Sequence, residues 1–124
     1  MKILVVDDER DIQTLFEQRF RKEIKENQLE FVFAFSGEDA LNYMNNHEHE
    51  AVLILSDINM PGMSGLELLK HIKEAHSIPP PVVMMITAYG DAENYNRSMQ
   101  LGADDFLTKP VDFILLKEKL KIKV

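Results

Sequence analysis

The sequence predicts an α/β protein: five βα units in succession, giving a parallel sheet with helices on both faces. Short apolar runs alternate with stretches of helical periodicity along the whole chain. The runs are nearly continuous rather than alternating apolar with polar, which is how strands covered on both faces read. The chemistry-bearing side chains stand immediately after the runs, where the carboxyl ends of the strands would lie.

The strand candidates are KILVV (2–6), FVFAF (31–35), AVLILS (51–56), PVVMMIT (81–87) and DFLT (105–108). Between them, Ile12, Leu15, Phe16, Phe20 and Ile24 recur at helical steps and predict one amphipathic helix over 10–26. Ser36 is the candidate cap of a second helix, with Leu41 and Met44 on one side. Ser64 and Glu67 have capping-box spacing ahead of a third, which buries Leu66, Leu69 and Ile72. A fourth starts at Asp91 and stops at Gly102; it is the most polar, with Ala92, Tyr95, Met99 and Leu101 to bury. A fifth starts at Asp112 and offers Phe113, Leu116 and Leu120. The prolines at 79–81 close a loop before the fourth strand, and no linker or low-complexity tract interrupts the pattern, so 1–124 reads as a single domain.

The composition narrows the function. A net charge of −7 argues against a general affinity for nucleic acid or anionic membranes. With no cysteine there is no disulfide and no thiolate metal site. No apolar run approaches the roughly 20 residues of a membrane span, and the N-terminus enters a strand pattern directly, so the expected location is cytoplasmic. The tract His47–Glu50 reads as a solvated loop, His71 and His76 as surface, most methionines as core filling, and the basic tail from Lys117 as a frayed helix end.

Asp7 and Asp8 follow the first strand, Ser36 and Gly37 the second, Asp57, Ile58 and Asn59 the third, Thr87 and Ala88 the fourth, Lys109 and Pro110 the fifth. Two carboxylates about 4 Å apart repel by roughly 4 kcal/mol at a surface-like dielectric. A divalent cation between them removes that cost, and an all-oxygen set of few ligands suits Mg²⁺.

Together, VVDDE, LSDINMPGMSG, MITAYG and GADDFLTKP resemble the motif set of the receiver domain of two-component response regulators, over residue 2 to about 120. The resemblance implies a flavodoxin-like three-layer fold with strand order 2-1-3-4-5. It implies that Asp57 accepts a phosphoryl group from the phosphohistidine of a sensor histidine kinase or histidine phosphotransfer protein. It further implies that Asp8, Asp57 and the Asn59 carbonyl ligate Mg²⁺, with Asp7 acting through a water. Lys109 and Thr87 would bind phosphoryl oxygens, small Ala88 would leave room for the group, and a cis Lys109–Pro110 bond would aim the lysine. Thr87 and Phe106 would form the switch, altering the face of the fourth helix, fifth strand and fifth helix (91–121) for an effector protein or linked domain, as a monomer or a phosphorylation-linked dimer. Asn59 and Tyr89 would tune water access to the site.

Two rival classes are weaker. Aspartyl-phosphate hydrolases typically carry a second Asp two residues after the nucleophile, where this chain has Asn59. The expectation is therefore a phosphoacceptor with slow self-dephosphorylation, not an enzyme. A phosphorylation-independent interaction module has no need of the complete acid, Thr and Lys set. No G-x-G-x-x-G follows the first strand and no P-loop is present, which argues against nucleotide binding.

Overall fold

A computed structural model describes residues 1–47, 50, 52–76, 80–88 and 92–123. The expected Asp91 cap, Tyr89, the first proline of 79–81, and Glu48 and His49 of the histidine–glutamate tract lie outside these residues. In chain order the elements are β1 (Lys2–Val6), α1 (Asp11–Arg19), α2 (Arg21–Lys25), β2 (Glu30–Ala34), α3 (Gly37–Asn46), β3 (Val52–Asp57), α4 (Gly65–Glu74), β4 (Val82–Ala88), α5 (Ala92–Gln100), β5 (Asp105–Lys109) and α6 (Phe113–Lys123). The strands pair in parallel in the order β2-β1-β3-β4-β5, as expected.

Alternate strand residues feed two cores, one on each face. Leu4, Val6, Ile54, Val83 and Met85 pack with Ala40 of α3 and with Leu66, Leu69 and Ile72 of α4. Ile3, Val5, Leu55, Met84 and Ile86 pack with Phe16, Phe20, Leu116 and Leu120. Phe16 anchors this second core, with ring centroids 5.2 Å from Phe113, 5.6 Å from Phe31 and 5.9 Å from Phe20. The side-chain caps form as the sequence predicts: Ser36 accepts from Asp39 N at 3.0 Å, Ser64 from Glu67 N at 3.2 Å, and Asp112 from Ile114 N at 3.0 Å.

Three expectations are corrected. The helix over 10–26 bends at Phe20 (φ −112°, ψ 21°), giving α1 and α2. Bonds Phe20 N to Phe16 O and Ile24 N to Phe20 O persist, so the apolar spacing runs through the bend unchanged. Leu15, expected inside, is exposed.

On α5 the buried residue is Ser98, while Ala92 is exposed and Tyr95 and Met99 are 44% and 41% exposed. The cause is the end of the helix. Ala103 N donates to Ser98 O, Gly102 N donates to Met99 O, and Gly102 has φ +95°, which together form a Schellman motif. Asp104 N then bonds Val83 O on β4, and this anchoring turns the Ser98 side inward.

The tail is not frayed: Lys117 pairs with Glu23 at 3.2 Å, Lys119 pairs with Asp105 at 2.9 Å, and Leu120 is buried. The methionines are mostly core filling, as expected. Met60, Met84 and Met85 are buried and Met44 and Met63 pack against the core, while Met1 and Met99 are exposed.

The Ser98 hydroxyl is buried with no hydrogen-bond partner among the described residues. An unmet buried donor costs about 1–3 kcal/mol, and Ala is the better helix former. Ser98→Ala is therefore expected to raise stability by about 1 kcal/mol, measured as a shift in the chemical denaturation midpoint.

Candidate functional site

The parallel sheet brings the ends of β1, β3, β4 and β5 to one edge, and the predicted residues meet there. Asp7 and Asp57 are buried and Asp8 is exposed. One carboxylate oxygen from each of the three lies within 4.8 Å of the others. Asp7 is held on both sides: Oδ1 accepts from Glu9 N at 2.9 Å, and Oδ2 lies 3.3 Å from Lys109 Nζ. Lys109 Nζ also donates to Asp57 Oδ2 at 3.1 Å. Asp8 has no hydrogen-bond or ion-pair partner among the described residues.

The pairing register explains the convergence. Asp57 is the last residue of β3 and lies opposite Ile86, one residue before Thr87. Lys109 closes β5 opposite Ala88. The Lys109–Pro110 bond is cis.

Thr87 is fully buried, and its Oγ1 has no partner among the described residues. It is a donor near the carboxyl end of β4 without an acceptor among the described residues. Ala88 is exposed beside it, and Asn59 is exposed in the loop after β3. Phe106 is half-buried on β5 with its ring against Tyr95 of α5, centroids 5.0 Å apart and nearly perpendicular.

Burial pushes the Asp57 carboxyl above the ordinary carboxylate range; Lys109 opposes this and the Asp7 charge adds to it. For Lys109, burial works against the ammonium, and the Asp57 and Asp7 carboxylates overcome it, so its pKa lies above the usual lysine value. One lysine thus leaves the acid pair undercompensated. A hard divalent cation fits the remaining charge: the donors are all oxygens, they lie close together, and Asp8 stands free.

Sequence reasoning missed Gly65. It takes the first helical position of α4, directly after the Ser64 cap, and a Cβ there would overlap the Asp57 carbonyl oxygen. A glycine at a position where helices favour better formers was the available signal.

A doubly wound sheet with acids, a lysine and a threonine at its carboxyl edge defines the CheY-like class of α/β signalling domain. The family model for the response regulator receiver domain matches residues 3–121, and the chain belongs to that family. It is 34% identical over 122 residues to the response regulator RppA of Synechocystis sp., a match covering 98% of this chain and 49% of RppA. The chain therefore spans about half the length of that curated relative. The Vibrio cholerae chemotaxis protein CheY4 superposes with a TM-score of 0.81 at 25% identity, covering 99% of this chain and 98% of CheY4. A putative two-component system response regulator/GGDEF domain protein superposes with a TM-score of 0.82 at 26% identity, covering 97% of this chain and 47% of that one. Receiver domains are typically phosphoacceptors rather than true enzymes. No helix among the described residues is long and apolar enough to cross a membrane.

Proposed function

We propose that residues 1–124 act as one receiver domain that takes a phosphoryl group on Asp57 from the phosphohistidine of a sensor histidine kinase or histidine phosphotransfer protein. The observation that carries this reading is the Asp57 carboxylate, buried, 3.1 Å from Lys109, and sharing a 4.8 Å cluster with Asp7 and Asp8. In the transfer, an Asp57 oxygen forms a bond to phosphorus as the N–P bond breaks, and the imidazole nitrogen keeps the electron pair. Asp57, Asp8 and the Asn59 carbonyl would hold Mg²⁺, with Asp7 acting through a water. When bound, Mg²⁺ supplies charge neutralisation between carboxylate and phosphoryl oxygens. Lys109 shifts from the Asp57 carboxylate to a phosphoryl oxygen, as a point charge can. The Thr87 hydroxyl donates to another, meeting the need its buried oxygen has among the described residues. Ala88 leaves the mouth of the site open.

The test is intact mass after Mg²⁺ titration and addition of phosphoramidate, a small phosphodonor. A gain of one phosphoryl group per chain, slowly lost, supports the reading; no gain, or rapid turnover of added phosphomonoesters, overturns it. Thr87→Val is expected to slow uptake about 10- to 100-fold, since a hydrogen bond to a charged group contributes roughly 1.5–3 kcal/mol. Its time course in the same assay checks this.

The output follows from the same contacts. Once Thr87 turns toward the phosphoryl group, the Phe106 ring moves into the space it leaves and off Tyr95, altering the α5–β5–α6 face. Tyr95, Met99, Ile114 and Leu115 are exposed there, apolar surface for an effector protein, a linked domain of the GGDEF kind, or a second copy upon phosphorylation. The net charge of −7 argues against direct nucleic-acid binding by these residues themselves. A structure with beryllofluoride, a phosphoryl mimic, bound at Asp57 tests the switch: unchanged Thr87 and Phe106 rotamers would sink it.

A further inference from the structure

Only two cations stand at the strand ends where the site lies, counting the residues from the end of each strand to the start of the next helix: Lys109 after β5 and Arg10 after β1. Lys109 is paired with Asp57 and Asp7. Arg10 is surrounded in sequence by Asp8, Glu9 and Asp11. Yet its guanidinium has no ion pair among the described residues. Its Cζ lies over the Phe35 ring, just after β2, 4.4 Å from the centroid. A guanidinium held at a ring face and not in an ion pair keeps N–H donors for an anion. It is also exposed, and it makes no side-chain cap to α1.

This placement answers a difficulty in the proposed reaction. A phosphodonor is an anion, and it must approach an edge bearing Asp7, Asp8, Glu9, Asp11 and Asp57. β2 and β3 are two strand spacings apart, about 10 Å, so Arg10 on Phe35 is too far from Asp57 to grip the group being transferred. It lies within the reach of an electrostatic field at low salt, where the Debye length is about 10 Å at 0.1 M.

We propose that Arg10, fixed on Phe35, captures the anionic phosphodonor electrostatically on the β2 side and delivers it to Asp57. This deepens the reading above and rests on it. A dianion about 10 Å from one positive charge in water is favoured by about fourfold in encounter.

The experiment measures the second-order rate constant for phosphorylation of the full chain by phosphoramidate at saturating Mg²⁺, from 20 mM to 500 mM ionic strength. At low salt, Arg10→Ala is expected to be about two- to fourfold slower than wild type, as the donor is mono- or dianionic, and Arg10→Glu about four- to sixteenfold slower, with all three converging at high salt. Arg10→Lys keeps the charge and is expected to restore most of the rate. Phe35→Leu keeps the charge but removes the aromatic platform, and is expected to fall between wild type and Arg10→Ala. The Mg²⁺ dissociation constant, measured by calorimetry, is expected to be unchanged or tighter in Arg10→Ala. Three results overturn the proposal alone: Arg10→Ala matching wild type at every ionic strength, Arg10→Lys as slow as Arg10→Ala, or a rate loss that tracks weakened Mg²⁺ binding. A wild-type chain that takes up no phosphoryl group overturns the underlying reading, and this proposal with it.

Discussion

Asp57→Asn is expected to abolish phosphoryl uptake altogether: wild type with Mg²⁺ and phosphoramidate gains one phosphoryl group by intact mass, and the variant gains none. Asparagine keeps the shape of the side chain but removes the charge and the nucleophilic oxygen. Lys109 stays compensated because Asp7 remains 3.3 Å away, so the variant should fold. Asp7 and Asp8 sit in the same cluster, and a gain that persists in the variant would assign the acceptor role to one of them.

The same substitution is expected to stabilise the metal-free protein at pH values where the Asp57 carboxyl is ionised, and the sign follows from burial. The Asp57 carboxyl has its pKa raised, with burial as the largest cause. A group whose folded pKa lies above its unfolded value favours folding when it is protonated. That advantage is complete below the ordinary carboxylate pKa and is lost as pH rises through the raised one. Where that carboxyl is ionised, metal-free wild type carries the penalty and Asp57→Asn does not, so the two should converge on acidification. Urea denaturation at several pH values measures the gap. Mg²⁺ reverses the order: a ligand at 100 times its dissociation constant stabilises the folded state by about 2.7 kcal/mol, and wild type retains the complete acid cluster. A wild type indifferent to Mg²⁺ in this assay would remove the cation from the account.

These energetics arise where the sequence was easiest to read. β1 and β3 run unbroken between two helical layers, so their apolar stretches carry no competing period, and the acids that end them stand out. Asp57 and Lys109 are 52 positions apart, yet sheet topology alone brings both to one edge. What escaped reading depends on contacts that have no local pattern. The bend at Phe20 leaves the spacing of Phe16, Phe20 and Ile24 intact. The rotation of α5 is set by the Schellman turn at Gly102 and by Asp104 bonding Val83 on β4, so Ser98 is buried in place of the more apolar Tyr95 and Met99. The basic tail looks frayed until Glu23 and Asp105 arrive from distant positions to pair with Lys117 and Lys119. The guanidinium of Arg10, among acids in sequence, lies instead over the Phe35 ring.

Gly65→Ala sets local propensity against packing, and packing is expected to win. In an exposed helix interior, Ala is favoured over Gly by about 1 kcal/mol, so a reading of α4 alone predicts stabilisation. A Cβ at Gly65, however, would overlap the Asp57 carbonyl oxygen and lie 2.8 Å from Ile58 Cα and 2.9 Å from Asp57 C. All three are backbone atoms, and the backbone there is tied down. Gly65 N donates to Ile58 O at 2.8 Å, Ile58 N donates to Ile86 O at 3.0 Å, and Ser56 Oγ donates to Asp57 O at 3.0 Å. Relief of the overlap must therefore move the end of β3 itself. The expected cost is at the upper end of the roughly 1–3 kcal/mol of overpacked sites, and it exceeds the propensity gain. Because the displaced segment carries Asp57, phosphoryl uptake should also fall, by more than the fraction unfolded explains; denaturation and initial uptake rates on the same sample separate the two. Gly37→Ala is the control. The atoms nearest its Cβ would be Met63 Cβ, Cγ and Sδ, each at 3.0 Å; Cγ and Sδ can swing away and Cβ must give by only a few tenths of an ångström, so the loss should be about 1 kcal/mol, below that of Gly65→Ala. If Gly65→Ala matched wild type in both stability and uptake, the contact between α4 and the end of β3 would have no part in placing the acceptor carboxylate.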